Sequence, residues 1–473
     1  MKKIFYTIKT NNLVKQDLKK FSLIRNSLNP IVALPDIHFK RGEMSPTGSV
    51  LLSENAIIPC FTHLSVGSGL SAWVIKDLKI DKKKLNQVFK KISNEVPGRS
   101  SKKPSYLPGI INDKFIKDSL MEGANILVKK KMLNKHDLQK LENNGNFYKN
   151  HNYFSRPEKT LPKELLQSCI NEFGCMGTGN TFMELHKIKK VFCKSTMKKW
   201  NIDQKDSLLL IHSGSSAAYL NLYFTPRWGV RGKKFIQFEK QKWDYHRNHI
   251  KDKESILNKL NYFPGANKYF SIKYPSYDSK LYLSAINSLT NLSMVNRLWL
   301  GIYFNQILKK EFNSKITSSL LWDSCHDSIQ KINKTKKKTF FCHRHGASVA
   351  INKDKLKKKS FFKETGLPII LPTAMGLESY ILKSEKGVEK TFQSSCHGTG
   401  RSVDRPEARK KFTNKDTVNY LKEKGCKLFY KKSILSGEHP ESFKATSAVL
   451  KSGKKHNLFS KVLKTKPLYI LKS

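Results

Sequence analysis

A chain of 473 residues with 38% hydrophobic and 11% aromatic side chains is long and apolar enough to bury a large core, which excludes a disordered tail. Its 88 Lys+Arg against 37 Asp+Glu leave a formal charge of +51, which a neutral-substrate enzyme does not need and which a polyphosphate rewards through counterion release. RNA or DNA is the first partner this implies; the bland alternative, a Lys-, Asn- and Ile-rich genome with solvated lysine faces, leaves the shortage of acids unexplained. Eight cysteines, at 60, 169, 175, 193, 325, 342, 396 and 426, contain no C-x-x-C pair, which argues against a zinc ribbon or a secreted disulfide scaffold and for a reducing compartment. The start, "MKKIFYTIKTNN", has no apolar stretch of signal-peptide length, and no later run reaches ~18 uncharged apolar residues, so a soluble cytoplasmic protein is expected. Without an internal repeat or a clear Pro/Gly/Ser linker, residues 1–473 read as one domain with the part to about residue 30 peripheral. The expected class is α+β, with mixed sheets and flanking helices.

In chain order, short apolar runs end in polar turns, the pattern of buried strands that deliver side chains at their ends. "IVALPDIHF" places Asp36 and His38 two apart on one side of an extended segment, Asp36 being either functional or a buried acid satisfied by backbone amides. "SVLLSENAIIPC" follows. "GTGNTFMEL" offers Gly177, Gly179 and Asn180 for close approach to a phosphate and Glu184 as an acceptor for a base edge, although a lone G-x-G is by itself a turn. "LLLIHSGSS" ends on His212, a metal or phosphate contact or a satisfied core histidine. Residues 281–308 carry Ile286, Leu289, Met294, Val295, Leu298 and Ile302 at roughly helical spacing and predict a long buried helix. "LLWDSCHDSIQ" reads as a helix turn with His326 on one face with Trp322 and Ile329. "HRHGASVA" and "LPTAMGLESY" add Arg344, His345, Thr373 and Ser379 as donors suited to an anion. The lysine runs 82–84, 129–131, 336–338 and 357–359 fall in exposed helices or loops and together form a candidate RNA track. In "TFQSSCHGTGRSVDR", His397 sits on an open glycine turn with Arg401 and Arg405 behind it. An imidazole nitrogen is a competent nucleophile toward phosphorus when cations carry the developing charge.

Eight blocks in order, "LPDIHFKRG", "AIIP", "GTGNTFMEL", "IHSGS", "HRHGAS", "LPTAMGLESY", "CHGTGR" and "LYILKS", make the chain resemble the RtcB family of RNA ligases from about residue 34 to its end. The resemblance implies joining of RNA 3′-phosphate or 2′,3′-cyclic phosphate ends to 5′-hydroxyl ends with GTP and manganese, through a histidine–GMP adduct. It implies His397 as the nucleophile. The guanylate site would be Asn180, Phe182, Glu184, Pro372, Thr373, Ala374, Met375, Ser379, Gly398, Gly400 and Lys472, with Arg401 and Arg405 on phosphate. RNA ends are the implied partner, an archease-like activator a further one, and a monomer the favoured state.

The metal positions depart from the family pattern. Ser65 and Ser68 stand where an Asp and a Cys belong and Thr181 where a histidine belongs, leaving His212 and His326 to hold at most one manganese ion. Hydroxyls bring no charge to offset a dication, so two histidines alone bind it weakly. Ser216, His345 and Phe443 replace a usual arginine, lysine and tyrosine, while His63, Cys60 and His186 offer a relocated metal site. Three readings follow: a divergent active ligase, a non-catalytic RNA- or GTP-binding paralogue, and another nucleotidyl transferase using the same histidine.

Overall fold

The computed structural model describes residues 4–40, 44–62, 66–151, 153–156, 158, 161, 163–177, 179–214, 271–312, 316–334, 338–430 and 435–472. His63, Ser65, Ser216, Lys336 and Lys337, named above, lie outside them. The apolar runs form strands β1 (Ile4–Tyr6), β2 (Ile31–His38), β3 (Thr47–Glu54), β4 (Ala56–Ile57), β5 (Gly69–Lys76), β6 (Phe182–Val191), β7 (Ser207–Ser213) and β8 (Ile272–Lys273). In the second half they are β9 (Thr317–Cys325), β10 (Asp327–Lys334), β11 (Thr339–His345), β12 (Ala347–Val349), β13 (Pro368–Leu371), β14 (Ser379–Ser384), β15 (Ser394–Cys396), β16 (Lys427–Tyr430) and β17 (Phe459–Lys472). One sheet has the order β1-β2-β3-β11-β10; a larger one runs β13-β14-β17-β6-β7-β5-β9 with β16 on β17. β12 with β15 and β4 with β8 complete a mixed α+β fold.

β7 shows why its sequence is apolar without alternation: Leu209 and Ile211 enter the cluster on one face of the sheet, Leu208 and Leu210 the cluster on the other. The expected helix spans Tyr277–Phe312 and is buried over most of its length. Its polar side chains are therefore bonded rather than solvated. Asn291 Oδ1 accepts the Phe147 amide at 2.7 Å, Asn296 Oδ1 accepts that of Gly174 at 2.7 Å, and Gly301 abuts the Trp73 indole so closely that a Cβ would lie 2.3 Å from Nε1. Arg297 grips Asp323 with Nε and Nη2 (2.8 and 2.7 Å) and donates Nη1 to the carbonyls of Gly67 (3.1 Å) and Ser213 (3.0 Å), so one guanidinium fixes the entry to β5 and the exit of β7.

"LLWDSCHDSIQ" is not a helix turn. β9 pairs with β5 and β10 with β11, and His326 is the bend between them. Arg344 is not a donor to an external anion either: it is buried and bonds Ser394 Oγ at 2.8 Å, Gln330 Oε1 at 3.0 Å and the carbonyls of Phe392 and Gln393 at 3.4 and 3.3 Å. Those two residues have φ of +54°, so Arg344 holds a left-handed pair just before β15. All eight cysteines are free thiols, and among the described residues no helix is long and apolar enough to cross a membrane.

Candidate active site

The ends of β2, β6, β7, β9 and β17 converge on a pocket with about 970 Å³ of empty space, mouth included. Of the residues singled out in the sequence, His38, Ser68, Asn180, Phe182, Glu184, His212, His326, Pro372, Thr373, Met375, His397, Gly398, Gly400, Arg401, Arg405 and Lys472 line it. Ala374 and Ser379 are buried outside the lining; Ser379 acts from behind, its Oγ accepting the Thr373 amide at 3.3 Å. Lys40, Thr47, Asp327 and Glu438 also line the pocket and were not anticipated, although Lys40 and Asp327 fall within the stretches "LPDIHFKRG" and "LLWDSCHDSIQ".

His397 follows β15 on its glycine turn. Its Nδ1–H donates to Asp36 Oδ2 at 2.8 Å and its backbone N–H to the same oxygen at 3.1 Å, so the acid at the end of β2 accepts both a backbone amide and the imidazole. This contact is possible because Gly400, at φ +71°, lies against Asp36: a Cβ there would sit 2.1 Å from the Asp36 carbonyl oxygen. Burial alone would lower the His397 pKa; the bond to Asp36, the charges of Asp36 and Asp327 and a bond to the Gly346 backbone outweigh it and raise the pKa above its usual value. With Nδ1–H committed to Asp36, the neutral ring presents its Nε2 lone pair. Lys444 donates to the Ile37 carbonyl from behind, and His38 Nδ1–H donates to the Asp36 carbonyl at 2.8 Å.

His326 packs on His397 with ring centroids 4.4 Å apart. His212 Nδ1–H donates to the Asn180 carbonyl at 2.9 Å, which turns Nε2 toward His326 Nε2 (3.4 Å) and the Ser68 hydroxyl (3.3 Å). Burial foremost pulls the His212 pKa down to about 3, so the ring is neutral at pH 7. The two-manganese arrangement implied by the resemblance does not fit these side chains. Among the described residues no three His, Cys, Asp or Glu side chains could hold an ion together; the most on offer is the His212 and His326 pair. Of the relocated site, the described members do not come together: Cys60 is buried in an apolar cluster, and His186 bonds Glu184 Oε2 (2.9 Å) and Thr465 Oγ1 (3.1 Å).

Basic side chains cluster in the same lining. Arg405 Nε donates to Glu438 Oε1 at 2.6 Å and Arg401 Nη1 lies 3.4 Å from Oε2; Arg401 also donates to the Gly437 carbonyl at 2.7 Å and rests on the Phe443 ring at 4.8 Å. Burial pushes the Glu438 carboxyl up, but Arg405, Lys472 and Arg401 together bring it to about 2, so it stays charged and pins both guanidiniums at the rim. Lys472, near the end of β17, donates to the carbonyls of Gly179 (3.0 Å) and Thr181 (3.1 Å) and so ties the G-x-G-N turn to the same cluster. On that turn's strand, Glu184 is oriented by His186. The arrangement gathers one oriented imidazole and three basic side chains in the lining of a single pocket.

Comparison with known proteins gives the same direction. The family model described as tRNA-splicing ligase RtcB matches residues 17–473. The tRNA-splicing ligase RtcB of Nanoarchaeum equitans is 24% identical over 476 residues, 96% of this chain and 90% of that protein. The RNA-splicing ligase RtcB homolog 1 of Entamoeba dispar is 25% identical over 75% of this chain, and the tRNA-splicing ligase RtcB of Methanococcus maripaludis 24% over 64%. The chain spans 62% and 60% of the length of those two. A match across nearly the whole chain, together with the pocket its blocks build, places this chain in the tRNA-splicing ligase RtcB family.

Proposed function

We propose that the protein is a divergent RNA ligase that joins RNA 3′-phosphate or 2′,3′-cyclic phosphate ends to 5′-hydroxyl ends through GTP and a covalent His397–GMP adduct. The observation that carries this reading is His397 held through Nδ1 by Asp36 in a pocket whose lining also holds Arg401, Arg405 and Lys472. In the first step Nε2 attacks the α-phosphorus: the N–P bond forms, the bond from phosphorus to the bridging oxygen breaks, and pyrophosphate leaves with the electron pair. The cations carry the charge that builds on the phosphoryl oxygens, and Asp36 stabilises the imidazolium. GMP then passes to the RNA 3′-phosphate, regenerating His397, and the 5′-hydroxyl displaces GMP as the phosphodiester forms. Asn180, Phe182, Glu184 and the Pro372–Met375 turn would hold the guanylate. No step here is assigned to manganese.

The second reading is a non-catalytic paralogue that binds RNA or GTP, favoured by the Ser68, Thr181, His212 and His326 set, which brings no anion. One experiment separates the two. The full chain is incubated with GTP labelled on the α-phosphate, with and without manganese and with an archease-like helper added. Acid-labile label lost in His397→Ala supports the ligase; absence of label under every condition, with GTP binding retained, selects the paralogue.

A further inference from the structure

Away from the pocket, the solvent-facing ends of β6, β14 and β17 carry an aromatic and basic patch that the pocket chemistry does not use. Phe192, just past β6, is 40% exposed and stacks on Tyr380 of β14, centroids 6.5 Å apart and planes at 28°. Lys461 Nζ lies 5.3 Å from the Phe192 centroid and 5.6 Å from that of Tyr380, and Lys190 Nζ lies 5.3 Å from Phe192. Register places Tyr380 opposite Lys464, and Lys464 opposite Lys190, so the row crosses three strands without interruption. Glu184, in the pocket lining, is on the same strand six residues before Lys190, a separation of roughly 20 Å at the rise of a strand. A bulge in β6 between Ile188 and Lys190 reverses the side-chain alternation, Ile188 and Val191 both packing in one cluster, so Lys190, Lys464 and Tyr380 stand on the face of the sheet opposite to that of Glu184.

We propose that this patch is a docking platform for single-stranded RNA. Exposed ring faces on a rigid sheet offer stacking to any base, and long lysines that now lean over those rings reach phosphates as the bases replace them. A purely structural role needs no such row: the rings already have their cation contacts, yet Phe192 stays open to solvent. The inference deepens the ligase reading in naming a surface that binds RNA, but its test reads binding rather than joining.

The test is fluorescence anisotropy on the full chain with an end-labelled single-stranded RNA of roughly 12 nucleotides across a salt series. Phe192→Ala with Tyr380→Ala should weaken binding by about ten-fold or more and leave the salt slope unchanged. Lys190→Gln with Lys461→Gln should reduce the slope by about 1.4, at roughly 0.7 for each phosphate no longer neutralised. Photocrosslinked RNA should map to the peptide bearing Phe192, which keeps the proposal testable should a double variant fold poorly. Affinities within about two-fold of the parent with an unchanged slope, crosslinks confined elsewhere, or equal competition by polyglutamate would overturn it. GTP labelling of His397 in the same variants separates the two claims: labelling retained with RNA binding lost supports the platform. A parent chain that binds RNA through the patch without ever labelling rejects the ligase reading alone.

Discussion

Asp36→Asn tests the site at its most specific contact. One carboxylate oxygen accepts both the His397 ring N–H, at 2.8 Å, and its backbone N–H, at 3.1 Å. A hydrogen bond to a charged group contributes about 1.5–3 kcal/mol, which at about 1.4 kcal/mol per unit is roughly 1–2 units of pKa. Removing the anion disfavours the imidazolium, so the His397 titration, now raised above its ordinary value, should move down by about that much. Asparagine also offers an NH₂ toward Nδ1; the ring then carries its proton on Nε2 and loses the lone pair that attacks phosphorus. A tautomer error of this kind costs on the order of 10²–10⁴ in rate. Two measurements read it. Ring-labelled histidine NMR, with His397 assigned by its absence in His397→Ala, gives the titration midpoint and needs no turnover. GTP labelling against pH should rise in the parent as Nε2 sheds its proton through the raised pKa, and in Asp36→Asn should turn over at lower pH with a much lower plateau. An unmoved NMR midpoint, or a plateau within about three-fold of the parent, refutes the assigned role.

Gly400→Ala forces a Cβ to 2.1 Å from the Asp36 carbonyl oxygen at φ +71°, whereas Gly425→Ala has the same φ and open space, so calorimetry should show about 1–2 kcal/mol lost in the second and clearly more in the first; equal losses would remove the close-approach argument. Arg297→Leu leaves Asp323 charged and unpaired in the core and should cost about 3–5 kcal/mol in urea unfolding, a loss below about 1 kcal/mol contradicting the clamp. Ser68→Cys with Thr181→His adds a thiolate and an imidazole beside His212, and titration calorimetry should find manganese bound at least ~10-fold more tightly than by the parent; no change would show that the residues are misplaced. Burial holds His212 and His343 near a pKa of about 3 in the folded chain, below their unfolded value. The stability they contribute is therefore whole above about pH 6.5 and is lost as pH falls toward 3, at roughly 2–3 kcal/mol per pH unit for the pair, and a melting temperature flat from pH 7 to 5 would contradict it.

The strands were legible because buried strands that face core on both sides, as β7 does, leave uninterrupted apolar runs. The misread stretch was "LLWDSCHDSIQ", where Trp322, His326 and Ile329 imitate helical spacing; pairing of β9 with β5 decides the matter, and that partner lies some 250 residues earlier. Arg344 looked like an anion donor because its partners, the carbonyls of Phe392 and Gln393, belong to a backbone conformation that local pattern does not reveal. The motif residues of the pocket were legible as a set through the family's blocks. Their couplings were not: His397 and Asp36 are 361 residues apart, and Glu438 sits in a lysine-rich stretch that carries no signature.

The substitutions at the metal positions make electrostatic sense together rather than singly. Where the resemblance calls for an aspartate and a cysteine this chain has Ser65 and Ser68, so two anions are gone along with the ligand set that paired them with a dication. A thiolate retained at position 68 without its metal would be a buried, uncompensated charge beside His212, which is itself buried and neutral. The hydroxyl of Ser68 instead bonds His212 at 3.3 Å, so that position carries a neutral contact in place of a charged ligand. Elsewhere in the lining Arg401, Arg405 and Lys472 surround a Glu438 held near a pKa of about 2, while burial lowers the pKa of Lys472 and of Arg401. Glu184 also acts on Lys472 and Asp404 on Arg401, so these basic side chains are balanced by several carboxylates. Among the described residues the pocket gathers basic side chains and no three-ligand set for a dication, so the proposed reaction depends on how much of the work of charge stabilisation those side chains carry unaided.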